Sequence, residues 1–165
     1  MLKLTKKADY GLIALKHLAE AAARDAANGT VSACSAKEIA DEYSIPQEAL
    51  AKILQRLVKS GLLVSHHGIN GGYALARDAK HITAFEAIKA INGPLFITSC
   101  STHKGECVQS VKCNVKEPLK KVNDSIHAVL NKITIADMQD ANGSLKNEPN
   151  ESPARNSISN LVTLA

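Results

Sequence analysis

The stretch from Ser35 to Arg77, SAKEIADEYSIPQEALAKILQRLVKSGLLVSHHGINGGYALAR, decides the fold. It opens with Ser35 and Glu38 at S-x-x-E spacing, where a hydroxyl and a carboxylate satisfy two of the free N–H groups of a helix start. The helix they begin, AKEIADEY, is short. Ser44-Ile45-Pro46 reads as a turn, and Pro46 suits the first turn of a following helix because its missing N–H costs nothing there. That second helix is expected to run to about Ser60. Leu50, Ile53, Leu54, Leu57 and Val58 form its apolar stripe, with Gln47, Glu48, Lys52, Gln55, Arg56 and Lys59 mostly off it. Gly61 is placed to end the helix in a left-handed conformation. Two strand-like runs follow, LLVSHH (62–67) and GYALAR (72–77), joined by a glycine-rich hairpin tip.

Helix, turn, helix and a glycine-tipped hairpin form a winged helix-turn-helix. A helix fits the major groove and presents side chains to base edges, and a thin hairpin reaches the adjacent backbone or minor groove. The exposed face of the second helix offers Gln47, Glu48, Lys52, Gln55 and Arg56 to phosphates or bases. Ser35 and Lys37 are candidates for backbone contacts, and His66, His67 and Asn70 for contacts from the wing. The pattern alone also fits a helical domain with a merely solvated polar face.

Upstream, Thr5 to about Arg24 reads as an amphipathic helix, with Tyr10, Ile13, Ala14, His17 and Leu18 at helical spacing and Thr5 as its N-cap. Residues 24–34 are small and polar and read as a loop. Downstream, Thr83 and Glu86 make a second capping box for TAFEAIKAI, which Gly93-Pro94 ends. Beyond it, Val115, Leu119, Val122, Ile126, Val129 and Ile133 are spaced 4-3-4-3-4, the seam of a helix that pairs with another helix. From about Gln139 the chain turns polar and is expected to be disordered.

Between these helices, residues 95–113 hold three of the four cysteines, Cys100-x6-Cys107-x5-Cys113. Clustered thiolates bind iron or zinc. A zinc ribbon usually has a C-x2-C knuckle, absent here, whereas wide spacings suit an iron–sulfur cluster. Free thiols and a thiol–disulfide switch stay open as alternatives. Cys34 stands apart and reads as a small buried or half-exposed thiol. The 165-residue chain is 45% hydrophobic but only 3% aromatic, so aliphatic side chains must build the core. A net charge of +4 and a pI near 8.9 permit nucleic-acid binding. No secretory signal or membrane-spanning run is evident, so a cytoplasmic location is expected. No triad, phosphate loop or paired-acid site points to an enzyme.

The segments LTKKADYGLIAL (4–15), HGINGGYALARDAKHIT (67–83), FEAIKAINGP (85–94) and ITIADMQD (133–140), with the three cysteines, together resemble the Rrf2 family of bacterial transcription regulators. The resemblance covers roughly residues 1–138. It implies a homodimer on a double-stranded operator, with Cys100, Cys107 and Cys113 as ligands of a [4Fe-4S] or [2Fe-2S] cluster. Members with those cysteines sense nitric oxide, redox state or cluster supply, which implies a cluster-gated regulator and, as the expected sign, a repressor. The chain departs from the family in three places. The family's commonest spacing is C-x5-C-x5-C, one residue shorter in the first gap. The position where cluster-homeostasis members carry a ligand His is Lys116 here. Asp9 instead matches the carboxylate ligand that nitric-oxide sensors supply from the partner subunit; a solvated carboxylate favoured by the helix dipole is the other reading. His103 and Glu106 are weaker ligand candidates. The wing position that carries Arg in some members is His67.

The expected fold class is thus mainly α with a small β-hairpin. Residues 1–92 form the winged helix-turn-helix domain, 93–114 a cysteine loop that binds the cluster, 115–138 a dimerisation helix and 139–165 a disordered tail.

Overall fold

The computed structural model describes residues 4–28, 33–68, 71–96 and 112–140. In chain order these form α1 (Lys6–Asn28), α2 (Ala36–Glu42), α3 (Gln47–Lys59), β1 (Leu63–His66), β2 (Gly72–Leu75), a 3-10 turn (Ala79–His81), α4 (Ala84–Asn92), α5 (Lys116–Lys132) and α6 (Ile135–Asp140). The mainly helical class with one hairpin is as the sequence predicts.

Most helix starts and stops follow the local chemistry read above, but α1 runs on to Asn28, past its expected end near Arg24. Thr5 accepts from the Ala8 N–H at 3.2 Å and so caps α1, while its hydroxyl donates to Asn92 at the end of α4. Both capping boxes close, Ser35 with Glu38 and Thr83 with Glu86. Gly61 lies at φ 73°, and the Leu62 N–H returns to the Leu57 carbonyl at 2.9 Å, so the last carbonyls of α3 are satisfied.

The core gathers Ala14, Leu15 and Leu18 of α1, Ile39 of α2, Leu50, Ile53, Leu54 and Leu57 of α3, Leu62 and Leu63 at the wing root, and Ile91 of α4. Alanines and glycine on α1 allow the close approach that so few aromatics require. A Cβ on Gly11 would collide with Ile91 of α4, so the absent side chain sets the α1–α4 distance.

β1 and β2 pair antiparallel, with Leu63 opposite Leu75 and His66 opposite Gly72. Cys34 adds a one-residue third edge: its N–H donates to the Tyr73 carbonyl at 3.1 Å and the Tyr73 N–H returns to the Cys34 carbonyl at 2.9 Å. A Cβ on Gly72 would sit 2.5 Å from the Cys34 carbonyl oxygen, so only glycine lets the wing lie against the residue before α2.

The segment 115–138, expected as one helix, is two. α5 ends at Lys132, and Ile133 and Thr134 are extended against the start of α4. The Ala84 N–H donates to the Ile133 carbonyl at 2.8 Å and the Ile135 N–H to the Ile82 carbonyl at 2.9 Å. Thr134 and Asp137 then cap α6, with the Thr134 N–H 2.8 Å from the Asp137 carboxylate and the Asp137 N–H 3.2 Å from the Thr134 hydroxyl. The physical reason is competition: two sheet-like bonds and a new cap outweigh one more turn of α5. Ile135 is buried in the body as a result. The tail from residue 141 onward lies outside the described residues.

Candidate nucleic-acid interface

The buried stripe of α3 holds the helix against the core and leaves Gln47, Glu48, Lys52, Gln55, Arg56 and Lys59 exposed. Most of the expected contact residues fall in two grooves, one on each flank of α3; Gln47, on the first turn of α3, lines neither. The first, of about 480 Å³, separates α3 from the wing. Gln55 and Lys59 line one wall, His66, His67 and Tyr73 the other, and Ser35 closes one end. The second, of about 360 Å³, lies between α3 and the start of α1 and is lined by Lys7, Glu48, Lys52 and Arg56. Lys37 is exposed on the first turn of α2. Asn70 lies outside the described residues.

Two of these side chains are already partly engaged. The Arg56 guanidinium donates to the Ile91 carbonyl at 2.6 Å, a cation on the last turn of α4 where the helix dipole favours it. Arg56 therefore ties α3 to α4 whatever else it touches. Ser35 and Glu38 are turned on each other, and the Ser35 N–H and hydroxyl hold the Glu38 carboxyl below the usual carboxylate range. Lys7 and Lys59 join the two grooves although neither was singled out as a contact. For Lys59 the signal was its place one helical turn beyond Gln55; for Lys7, on a separate helix, no local signal existed.

Behind the interface, His17 of α1 is buried beneath the end of α2. Its Nδ1 lies 3.4 Å from the Glu42 carboxylate and 3.3 Å from the Tyr43 hydroxyl, and its ring meets that of Tyr43 edge-on. This polar contact fixes α2 on α1, a role its place in an apolar stripe did not disclose. Cys34 is half-buried, and burial first, then the nearby Glu38 carboxylate, push its thiol up. It is held as a neutral thiol beside the wing.

Of the cluster candidates, Cys113 is half-exposed two residues before Val115, the N-cap of α5. Val115 has no side-chain acceptor, so the first N–H groups of α5 go without a side-chain cap. Asp9 is exposed on the first turn of α1, and its carboxylate has no hydrogen bond or ion pair among the described residues. Cys100, Cys107, His103 and Glu106 lie outside the described residues. Among the described residues no group of three or more His, Cys, Asp or Glu converges as a metal shell.

The seam of α5 is open. Val115, Val122 and Val129 are 52%, 48% and 56% exposed. The opposite face docks on α4: the His127 ring packs on Phe85 with centroids 4.7 Å apart, and its Nε2 donates to the Leu95 carbonyl at 2.8 Å. A ring nitrogen facing a carbonyl must carry the proton, so the tautomer follows from the contact.

The Rrf2 family model, described as an iron-dependent transcriptional regulator, matches residues 4–141. The chain belongs to the Rrf2 family. Like other Rrf2 proteins it is a DNA-binding transcription regulator and not an enzyme. An rrf2-like HTH-type transcriptional regulator of Rhodobacter capsulatus is 29% identical over 140 residues, covering 82% of this chain and 91% of that one. Among solved structures, T. potens IscR is 30% identical with a TM-score of 0.64, over 86% of this chain and 88% of that one. CymR, the global cysteine regulator of B. subtilis, has a TM-score of 0.65 at 24% identity, over 86% of this chain and 98% of its own, and speaks for the fold alone. Rrf2 regulators bind DNA and are typically dimeric. Among the described residues no helix is long and apolar enough to cross a membrane.

Proposed function

We propose that the chain is a homodimeric repressor whose operator affinity depends on an iron–sulfur cluster held by Cys100, Cys107 and Cys113, with the partner subunit's Asp9 as fourth ligand. The observation that carries this reading is the junction at Cys113. The last of the three cysteines stands at the root of α5, the helix whose apolar seam is left open. The uncapped N–H groups there complement the negative charge of a thiolate-ligated group. The family's description as iron-dependent supports an iron-containing group. Held by those three thiolates and a carboxylate, a cluster would supply one-electron redox chemistry at the root of α5.

The chain's own residues then have defined tasks. The open seam, Val115 to Ile133, pairs with its copy and sets the distance between two α3 helices. His127 ties α5 to Leu95, which precedes the cysteine-bearing segment in the chain. Gln47, Glu48, Lys52, Gln55 and Arg56 would contact the major groove and Ser35, Lys37, His66 and His67 the DNA backbone; Asn70, outside the described residues, is proposed for the same backbone role from the sequence alone. Half-sites for a two-fold dimer are about one DNA turn apart. A coupling of about 1.4 kcal/mol between cluster state and operator changes affinity about tenfold.

Protein purified without oxygen is expected to absorb in the visible range, to contain iron, and to lose both on Cys100→Ala, Cys107→Ala or Cys113→Ala. Operator affinity is expected to change when the iron is chelated. Colourless, iron-free protein whose DNA binding ignores iron and sulfide would refute the reading. A reversible disulfide among the three cysteines, with Asp9→Ala silent, would replace the cluster by a thiol–disulfide switch.

A further inference from the structure

The groove between α3 and the wing has a lining of unusual charge. Its titratable members are Lys59 from α3, His66 and His67 from the tip end of β1, and Tyr73 from β2, and among the described residues no carboxylate lines it. The carboxylate nearest in sequence to the lining, Glu38, is turned onto the N–H of its own N-cap, Ser35. The remaining polar lining is Gln55, Ser35 and Ser65, which are neutral donors. At alkaline pH the groove therefore carries one full positive charge; with both imidazoles protonated it carries three. Both histidines are exposed, and among the described residues neither makes a side-chain hydrogen bond or ion pair that would commit its ring.

We propose that His66 and His67, facing Lys59 across this groove, form a titratable clamp on the DNA phosphate backbone, so that the wing grips DNA more tightly as pH falls. The chemistry is that of a phosphodiester held by one permanent and two conditional cations. An imidazole placed against a phosphate favours its charged form, so DNA binding takes up protons. The sign follows from linkage. Affinity rises as pH drops through the histidine range and levels off once both rings are charged in the free protein. Each added cation on a phosphate also steepens the salt dependence by about 0.9 in the log–log slope. The clamp rests on the DNA-binding activity and not on the cluster.

The test uses the full-length chain at matched iron content and a 30-bp mixed-sequence DNA duplex, with dissociation constants measured at pH 8 and pH 6 over a range of salt. The wild type is expected to bind about tenfold or more tightly at pH 6, with a salt slope steeper by about one to two. The double variant His66→Gln/His67→Gln is expected to lose most of the gain at pH 6, so that the ratio of its own dissociation constants at pH 8 and pH 6 falls toward one. The other four histidines remain as an internal control. Lys59→Gln is expected to weaken binding at both pH values. A double variant that keeps the wild-type pH response overturns the clamp, as does a wild type with equal affinity at both pH values, while duplex binding at pH 8 leaves the DNA-binding reading intact. A chain that binds the duplex at neither pH overturns both together.

Discussion

The winged-helix body and α5 are built on opposite principles. In the body each helix hides its stripe inside the same chain: Leu50, Leu54 and Leu57 of α3 are completely buried, and Leu15 and Ile39 meet them from α1 and α2. In α5 the buried residue is polar, Asn123, while the valines of the seam face outward. A stripe with nothing on it is unfavourable for an isolated chain, by about 25 cal/mol for each Å² of apolar surface left in water. The body thus buries its apolar stripes within the chain, whereas α5 leaves its own exposed, where the proposed pairing with a second copy would cover it.

That contrast can be broken at several points. The largest effect is expected from Leu54→Ala, which empties a fully buried site and should destabilise the body by about 2–5 kcal/mol in denaturant unfolding. Val129→Ala, on the seam, should leave unfolding of the body nearly unchanged; equal losses from the two would end the distinction. Next comes Gly72→Ala, whose methyl would meet the Cys34 backbone from 2.5 Å. It should cost about 1–3 kcal/mol and weaken DNA binding, since the wing must shift off its edge. Val122→Asp/Val129→Asp should preserve the helical circular dichroism yet weaken the dimer at least tenfold in sedimentation equilibrium.

The smallest effects lie in the caps. Thr83→Ala should cost about 1 kcal/mol in thermal unfolding. The Glu38 carboxyl is held low by Ser35. In Glu86 burial alone would raise the carboxyl, but the Thr83 N–H and Arg77 overcome it and hold it low. Carboxyls lowered in the folded state stabilise it above the unfolded value, near pH 4.3, and that contribution fades as pH falls through the folded values. Glu38→Gln and Glu86→Gln should each flatten the fall in melting temperature between about pH 5 and 3.

What could be read in advance was what depends on near neighbours. The two capping boxes, the Gly61 stop and the stripe of α3 are local, and each is where its residues placed it. The break after Lys132 was also local, carried by Thr134 and Asp137, but the heptad spacing continued through Ile133 and masked it. Contacts between distant segments left no local trace. Nothing near Cys34 announced its pairing with Tyr73, nothing near Arg56 its bond to Ile91, and nothing near His17 its seat under Tyr43. For the site the residue types were legible, but their division between two flanks of α3 was not, because that depends on where the wing and α1 pack.

The residues after α5 do not drift free. Ile133 and Ile135 are stitched on either side of Thr83, between the exit from the wing and the first turn of α4. The end of α5 is thereby tied to the short link that leads from the wing, through the 3-10 turn, into α4. Under the proposed pairing, a twist along the seam would reach that link without crossing a slack joint.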